Sequence, residues 1–173
     1  MAFGLSVQKI AFIVLAAIAV LTILIALPTK SWRVKEIKIP GDRTTFQKYY
    51  IGLFGYTIVS NDQEKTSTNT VGWQKAAAAF VILALLIEVA CIACSLAAPF
   101  VSIIDTWNSY LLIALSAAAT ICLFLGITIF GAKSANSGEL GYSMYLAIIS
   151  LLAMFSNFVL AVVFWKFRSR ATA

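Results

Sequence analysis

Of 173 residues, 61% are hydrophobic and 12% charged, more apolar surface than a soluble core of this size can hide. This composition excludes a water-soluble globular domain and puts the chain in a bilayer. A net charge of +6 would suit nucleic acid in a soluble protein. Here the basic residues divide between one long polar loop and the C-terminal tail, so membrane lipid headgroups are the expected contact and nucleic acid is not.

A helix needs about 20 apolar residues to cross about 30 Å of hydrocarbon. The first such stretch runs from Leu5 to Leu27. It is longer than the apolar region of a signal peptide and ends at Leu27-Pro28 without a small-x-small cleavage site, so it is predicted to be a retained helix. The loop 28–74 follows, and its periodicity changes. Trp32 and Val34 alternate with Arg33 and Lys35, Ile37 and Ile39 flank Lys38, and Tyr49 to Val59 is rich in aromatic and branched residues. Pro40-Gly41-Asp42 and Ser60-Asn61-Asp62 punctuate these runs, which predicts a small antiparallel sheet built from the first loop, with polar Gln63 to Thr70 as a solvated linker. Three more spans are predicted at Ala76–Ala98, Tyr110–Phe130 and Tyr142–Trp165, joined by short links from Pro99 to Asn108 and from Ala132 to Gly141. None alternates polar and apolar residues as barrel strands do. The predicted fold is a single domain over residues 1–173, a four-helix transmembrane bundle carrying a small extracellular antiparallel β-sheet.

Trp73, Trp107 and Trp165 fall at span ends, where the indole is expected to sit in the headgroup layer. Lys9, Lys166, Arg168 and Arg170 lie beside the ends of the first and fourth spans, which predicts cytoplasmic termini and an extracellular first loop. No Asn is followed two residues on by Ser or Thr, so N-glycosylation is not expected.

Leu27-Pro28 before Trp32-Arg33-Val34, Gly52-Leu53-Phe54 in the loop, Gln74-Lys75-Ala76-Ala77 entering the second span, and Gly138 to Leu146 entering the fourth together carry a likeness. In these motifs and in layout the chain resembles the claudin, peripheral myelin protein and epithelial membrane protein superfamily. It departs in two places. Phe54 stands where the family has tryptophan, and the loop cysteine pair is missing: Thr57 occupies the first position, and the second falls within 65–68. This places it among divergent, invertebrate-type members. The resemblance implies that Trp32, Gly52, Leu53 and Phe54 form a structural motif, expected here to fasten the sheet to the bilayer surface. It also implies a plasma-membrane protein of cell junctions that assembles in cis or trans with itself or related claudin-like proteins, or else an auxiliary subunit of an ion channel or neurotransmitter receptor.

The three cysteines, Cys91, Cys94 and Cys122, all lie inside predicted spans, so no extracellular disulfide is expected and aromatic loop residues must hold the sheet by packing. Cys91 and Cys94 are candidates for S-palmitoylation near the inner leaflet, although small thiols more often simply pack. There is no histidine, the seven acids are scattered, and Gly126 and Gly131 lack the Lys-Ser/Thr of a phosphate loop. No enzyme, metal site or cofactor is expected. The tail after Lys166 is too short for a regulatory segment and lacks the large apolar last residue that PDZ-type pockets take. The long loop holds seven basic residues against four acids, a net charge of about +3 that would favour anions along any path it lined.

Glu88 is the one acid deep in a span. It sits about 18 Å along the helix from Ala76, near mid-bilayer, on a stripe with Ala84, Cys91 and Ser95. An ionised carboxylate there is costly, so Glu88 is expected to face the bundle, protonated or hydrogen-bonded. Asn157 of the fourth span and Ser116 and Thr120 of the third lie at matching depth and are the expected partners.

Overall fold

The computed structural model describes residues 2–38, 46–60, 63–97, 105–135 and 138–171. Four helices, α1 (Ala2–Ala26), α2 (Gly72–Ala97), α3 (Asp105–Lys133) and α4 (Tyr142–Ala171), pack in a ring, each against its two neighbours. Most extend a few residues beyond the predicted spans, and α4 carries the helix on through the basic tail. In α2, α3 and α4 the stretches Gly72–Ala97, Tyr110–Lys133 and Tyr142–Lys166 are long and apolar enough to cross a membrane, and α1 contributes the apolar stretch Ile10–Ala26. The turn expected at Pro40-Gly41-Asp42 and the link 98–104 lie outside the described residues, as does the Trp107 side chain.

What each helix buries explains the packing. Phe12, Ala16, Ala19, Ile23 and Ala26 of α1 alternate spacings of four and three, as do Gln74, Ala77, Val81, Ala84, Glu88 and Cys91 of α2. On α4 the same spacing runs through Ser143, Ala147, Ser150, Met154, Asn157 and Ala161. A repeat averaging 3.5 residues keeps one seam facing the bundle axis and favours left-handed packing at about 20°. The seams are lined mainly by small or polar residues, while Val14, Leu21, Leu86, Ile121, Phe124, Leu152 and Phe155 point outward. In water this arrangement would be inverted; in lipid the large apolar residues face the acyl chains and the small ones let backbones approach. Gly126 marks the closest approach of α3 to α2, since a Cβ there would meet Val81 Cγ2 at 2.9 Å and the Ala77 carbonyl at 3.2 Å.

Above the bundle stands an antiparallel sheet of β1 (Arg33–Lys38), β2 (Phe46–Ile51), β3 (Tyr56–Ser60), β4 (Gln63–Ser67) and β5 (Glu139–Leu140), in the order β4-β3-β2-β1-β5. Two features differ from the sequence reading. The segment expected as a linker from Gln63 forms β4, which pairs with β3 from Ser60–Gln63 to Tyr56–Ser67 and is held by the Thr57–Thr66 hydroxyl contact and by Lys30 on Glu64 and Thr66 in place of apolar contacts. The sheet is also not confined to the first loop: β5 comes from the link before α4 and pairs Leu140 with Arg33 and Glu139 with Val34. Two residues are too short to leave a periodicity. Gly138 permits the approach, with φ of +109° and a backbone so close to Val34 and Lys35 that a side chain would not fit.

Thr57 and Thr66 are direct cross-strand partners, and their hydroxyls lie 3.2 Å apart in a hydrogen bond. Thr57 is buried. Thr57, where the resemblance placed the first cysteine, thus faces Thr66, one of the residues in the range 65–68 in which it placed the second, and a threonine pair makes the contact. Facing residues in an antiparallel pair lie about 4.5–5.5 Å apart at Cα, within reach of a disulfide. The double substitution T57C/T66C is expected to oxidise spontaneously and raise stability by about 2–3 kcal/mol, measured by thermal melting with and without reductant.

Candidate functional site

The described feature most suited to meeting another molecule is the sheet, and its usefulness depends on how rigidly it is seated. Helix α1 ends at Ala26, two residues before Pro28, leaving carbonyls at the helix terminus that need donors. The Ala26 carbonyl receives two, from Trp32 Nε1 at 2.9 Å and Thr29 Oγ1 at 2.7 Å. The Trp32 ring is fully buried and lies 5.1 Å from the Phe130 ring of α3, which in turn meets Trp73 of α2 edge-on at 5.5 Å. Its backbone N–H donates to Ile51 of β2 and its carbonyl accepts from Gly141 at the start of α4. One residue therefore ties all four helices to the sheet.

This alters the role expected of the Trp32 and Gly52-Leu53-Phe54 motif. Trp32 and Leu53 anchor the sheet inside the protein rather than in the headgroup layer, and only Phe54 of the four is exposed. Gly52 passes so close to Thr29 and Lys30 that a Cβ would stand 3.0 Å from the Lys30 Cα, and its carbonyl accepts from Gln74 Nε2 at 3.0 Å. The other end of that amide, Gln74 Oε1, accepts from the Val71 N–H at 2.9 Å, capping the first turn of α2. Trp73, expected in an aromatic belt, is half-buried against Phe130; Trp165 is partly exposed and packs 5.8 Å from Tyr110 at the opposite end of the bundle.

Arg33 fastens the other side. Its Nε donates to Ser134 Oγ at 3.2 Å and its guanidinium to the Gly138 carbonyl at 2.7 Å, joining β1 to the end of α3 and the β5 strand. Sequence reasoning gave no role to Phe130 or Ser134, and it noted Gln74 as part of a motif without its cap. A buried aromatic inside a continuous apolar run carries no distinguishing signal, whereas the Gln at the third position of a helix is a capping signature.

Within the bilayer, Glu88 and Asn157 are both fully buried, and Asn157 Nδ2 donates to Glu88 Oε1 at 2.9 Å. Glu88 Oε2 and Asn157 Oδ1 are buried as well and hydrogen-bond to no described residue. Ser116 and Thr120 instead bond back to carbonyls of their own helix, Leu112 and Ser116 respectively. The polar pair separates the large core on the sheet side, around Trp32, Leu123 and Met154, from a small one of Phe12, Cys91 and Ala161 towards the opposite end of the bundle. On the α1–α4 seam, Ser150 bonds the Ala19 carbonyl at 3.0 Å and the Thr22 hydroxyl, and Thr29 bonds Ser143 at 2.6 Å. Cys91 is buried and Cys94 half-buried, so an acyl chain on Cys91 would have to displace the small core it forms with Phe12 and Ala161.

Trp32→Ala is expected to cost about 3–5 kcal/mol, as for other buried aromatics, and Trp32→Phe about 1 kcal/mol for the lost N–H bond; denaturant melts of the purified protein check both. Glu88→Gln keeps an acceptor for Asn157 and adds a donor facing its free oxygen, so its stability should match or exceed the parent. Glu88→Leu strands Asn157 and is expected to cost about 1–3 kcal/mol. Equal melting temperatures for the Gln and Leu variants would remove the polar pair as a packing determinant.

Four helices with a small antiparallel sheet are compatible with a claudin-like architecture. Neither a protein-family model nor a curated protein matches the chain.

Proposed function

We propose that this chain is a non-enzymatic, claudin-like membrane protein of cell–cell contacts, which assembles with copies of itself through the sheet. The supporting observation is the open edge of the sheet held on a stiff base. Strand β4 terminates the order β4-β3-β2-β1-β5, and its residues Gln63 to Thr66 are exposed. An edge strand presents unpaired N–H and C=O groups that another chain can pair with, and the Trp32 seat denies the sheet the freedom that would make such pairing entropically costly. Repeated head-to-tail contacts of this kind propagate into strands or rows within a membrane. In this reading the sheet is extracellular, both termini are cytoplasmic, and the protein resides in the plasma membrane at junctions.

Gentle solubilisation from native membranes, followed by identification of what co-purifies, tests the proposal. Copies of the same chain in stoichiometric excess are expected. Stoichiometric recovery of an ion channel or receptor without self-association would replace the adhesion reading with that of an auxiliary subunit.

A further inference from the structure

In an antiparallel sheet, residues opposite one another share a face, and successive residues alternate faces. The register therefore sorts every described strand residue. One face carries Glu36, Glu64 and Glu139, all three described acids of the sheet. Two of them are matched by lysines: Glu36 by Lys48 at 2.7 Å and Glu64 by Lys30 at 3.4 Å. The hydrogen bond and charge of Glu36 hold the Lys48 ammonium above its ordinary pKa. The other face carries Arg33, Lys35 and Lys65 and, among the described residues, no acid.

The second face has an ordered centre. One row crosses four strands as Lys35, Tyr49, Ile58 and Lys65, each the register partner of the next. The two lysines are exposed and lie at the ends of the row, three strand spacings or about 14 Å apart at Cα. Tyr49 and Ile58 are half-buried between them, and exposed Ile37 lies two residues further from the bundle on the same face. Arg33 adds a third positive charge at the base, and its described hydrogen bonds go to the neutral groups of Ser134 and Gly138.

We propose that this face, which carries no described acid, is a docking surface for an acidic polypeptide segment of a different protein. The match is geometric as well as electrostatic. In an extended chain, residues one, three and five share a side, and the outer two stand about 13–14 Å apart. Two carboxylates in those places reach Lys35 and Lys65 while an apolar residue between them lies on Tyr49 and Ile58. The same face of a second copy is excluded, because it would set lysine against lysine. A sulfated polysaccharide would meet the charges but gain little from the apolar centre. Lys65 belongs to the edge strand β4, but docking here uses its side chain on the face of the sheet whereas self-assembly uses the backbone groups of the edge, so replacing Lys35 and Lys65 tests the one and leaves the other's hydrogen-bonding groups in place.

The test uses the full-length protein in nanodiscs of neutral phosphatidylcholine, titrated with a labelled peptide that has two glutamates four residues apart around a central leucine. Saturable binding is expected, weakened by added salt and by replacing both glutamates with glutamine. K35E/K65E should lower affinity about tenfold, and K48Q on the opposite face should leave it within about twofold, in keeping with the modest worth of exposed ion pairs. K35Q/K65Q repeats the measurement should charge reversal disturb folding, which unchanged melting temperatures check. Binding indifferent to Lys35 and Lys65, or binding of a heparin oligosaccharide but not of the peptide, overturns the proposal.

Discussion

Everything above the bundle depends on the burial of the Trp32 indole. Its single N–H must find an acceptor once removed from water, and the carbonyl it finds belongs to Ala26, at the last turn of α1 where the helix has no donor of its own. The apolar body of the ring then has to be covered, and Phe130 covers it from α3 while Trp73 braces Phe130 from α2. Once the side chain is fixed, the backbone of the same residue is fixed, and the first rung of β1 follows with it. Sheet position is therefore set by the bundle, and any motion of one helix end is felt at the strand that leaves it.

The bundle faces a different constraint, because lipid gives helices no hydrophobic reason to associate. Close approach of small residues and a few buried polar contacts replace it, and both are placed at one seam per helix. Asn157, Ser150 and Ser143 recur at seven-residue intervals on α4, so a single face of that helix meets Glu88 at the level far from the sheet, and Ala19 and Thr22 of α1 and Thr29 just after it at the levels nearer the sheet. Polar groups at three depths resist a register slip that an Ala–Leu seam alone would permit, since any slip leaves a polar group against hydrocarbon.

Hydropathy made the helices legible, because a run of about 20 apolar residues has few other meanings. Depth counting also put Glu88 level with Asn157, and the two are hydrogen-bonded. The sheet was legible only where branched and aromatic residues alternate. Polar β4 resembles a linker in composition, and the two residues of β5 are recruited by a close backbone approach at Gly138 that only three dimensions reveal. Tryptophan misled for a related reason: an indole near a span end fits both the headgroup layer and a packed seat. The deciding fact is the presence of Phe130 opposite it, contributed by a residue 98 positions away in the chain.

Without a disulfide, β3 and β4 are held by a ladder, by the Thr57–Thr66 hydroxyl contact, and by Lys30, which reaches up from the end of α1 to both Thr66 and Glu64. These contacts are weaker than a covalent bond and partly open to water. Using Lys30 and Lys48 to neutralise Glu64 and Glu36 has a second consequence. It occupies two of the three described acids of the sheet on one face and leaves Lys35 and Lys65 with no described acid on the other, so the means of bracing the sheet also gives its two faces different electrostatic character.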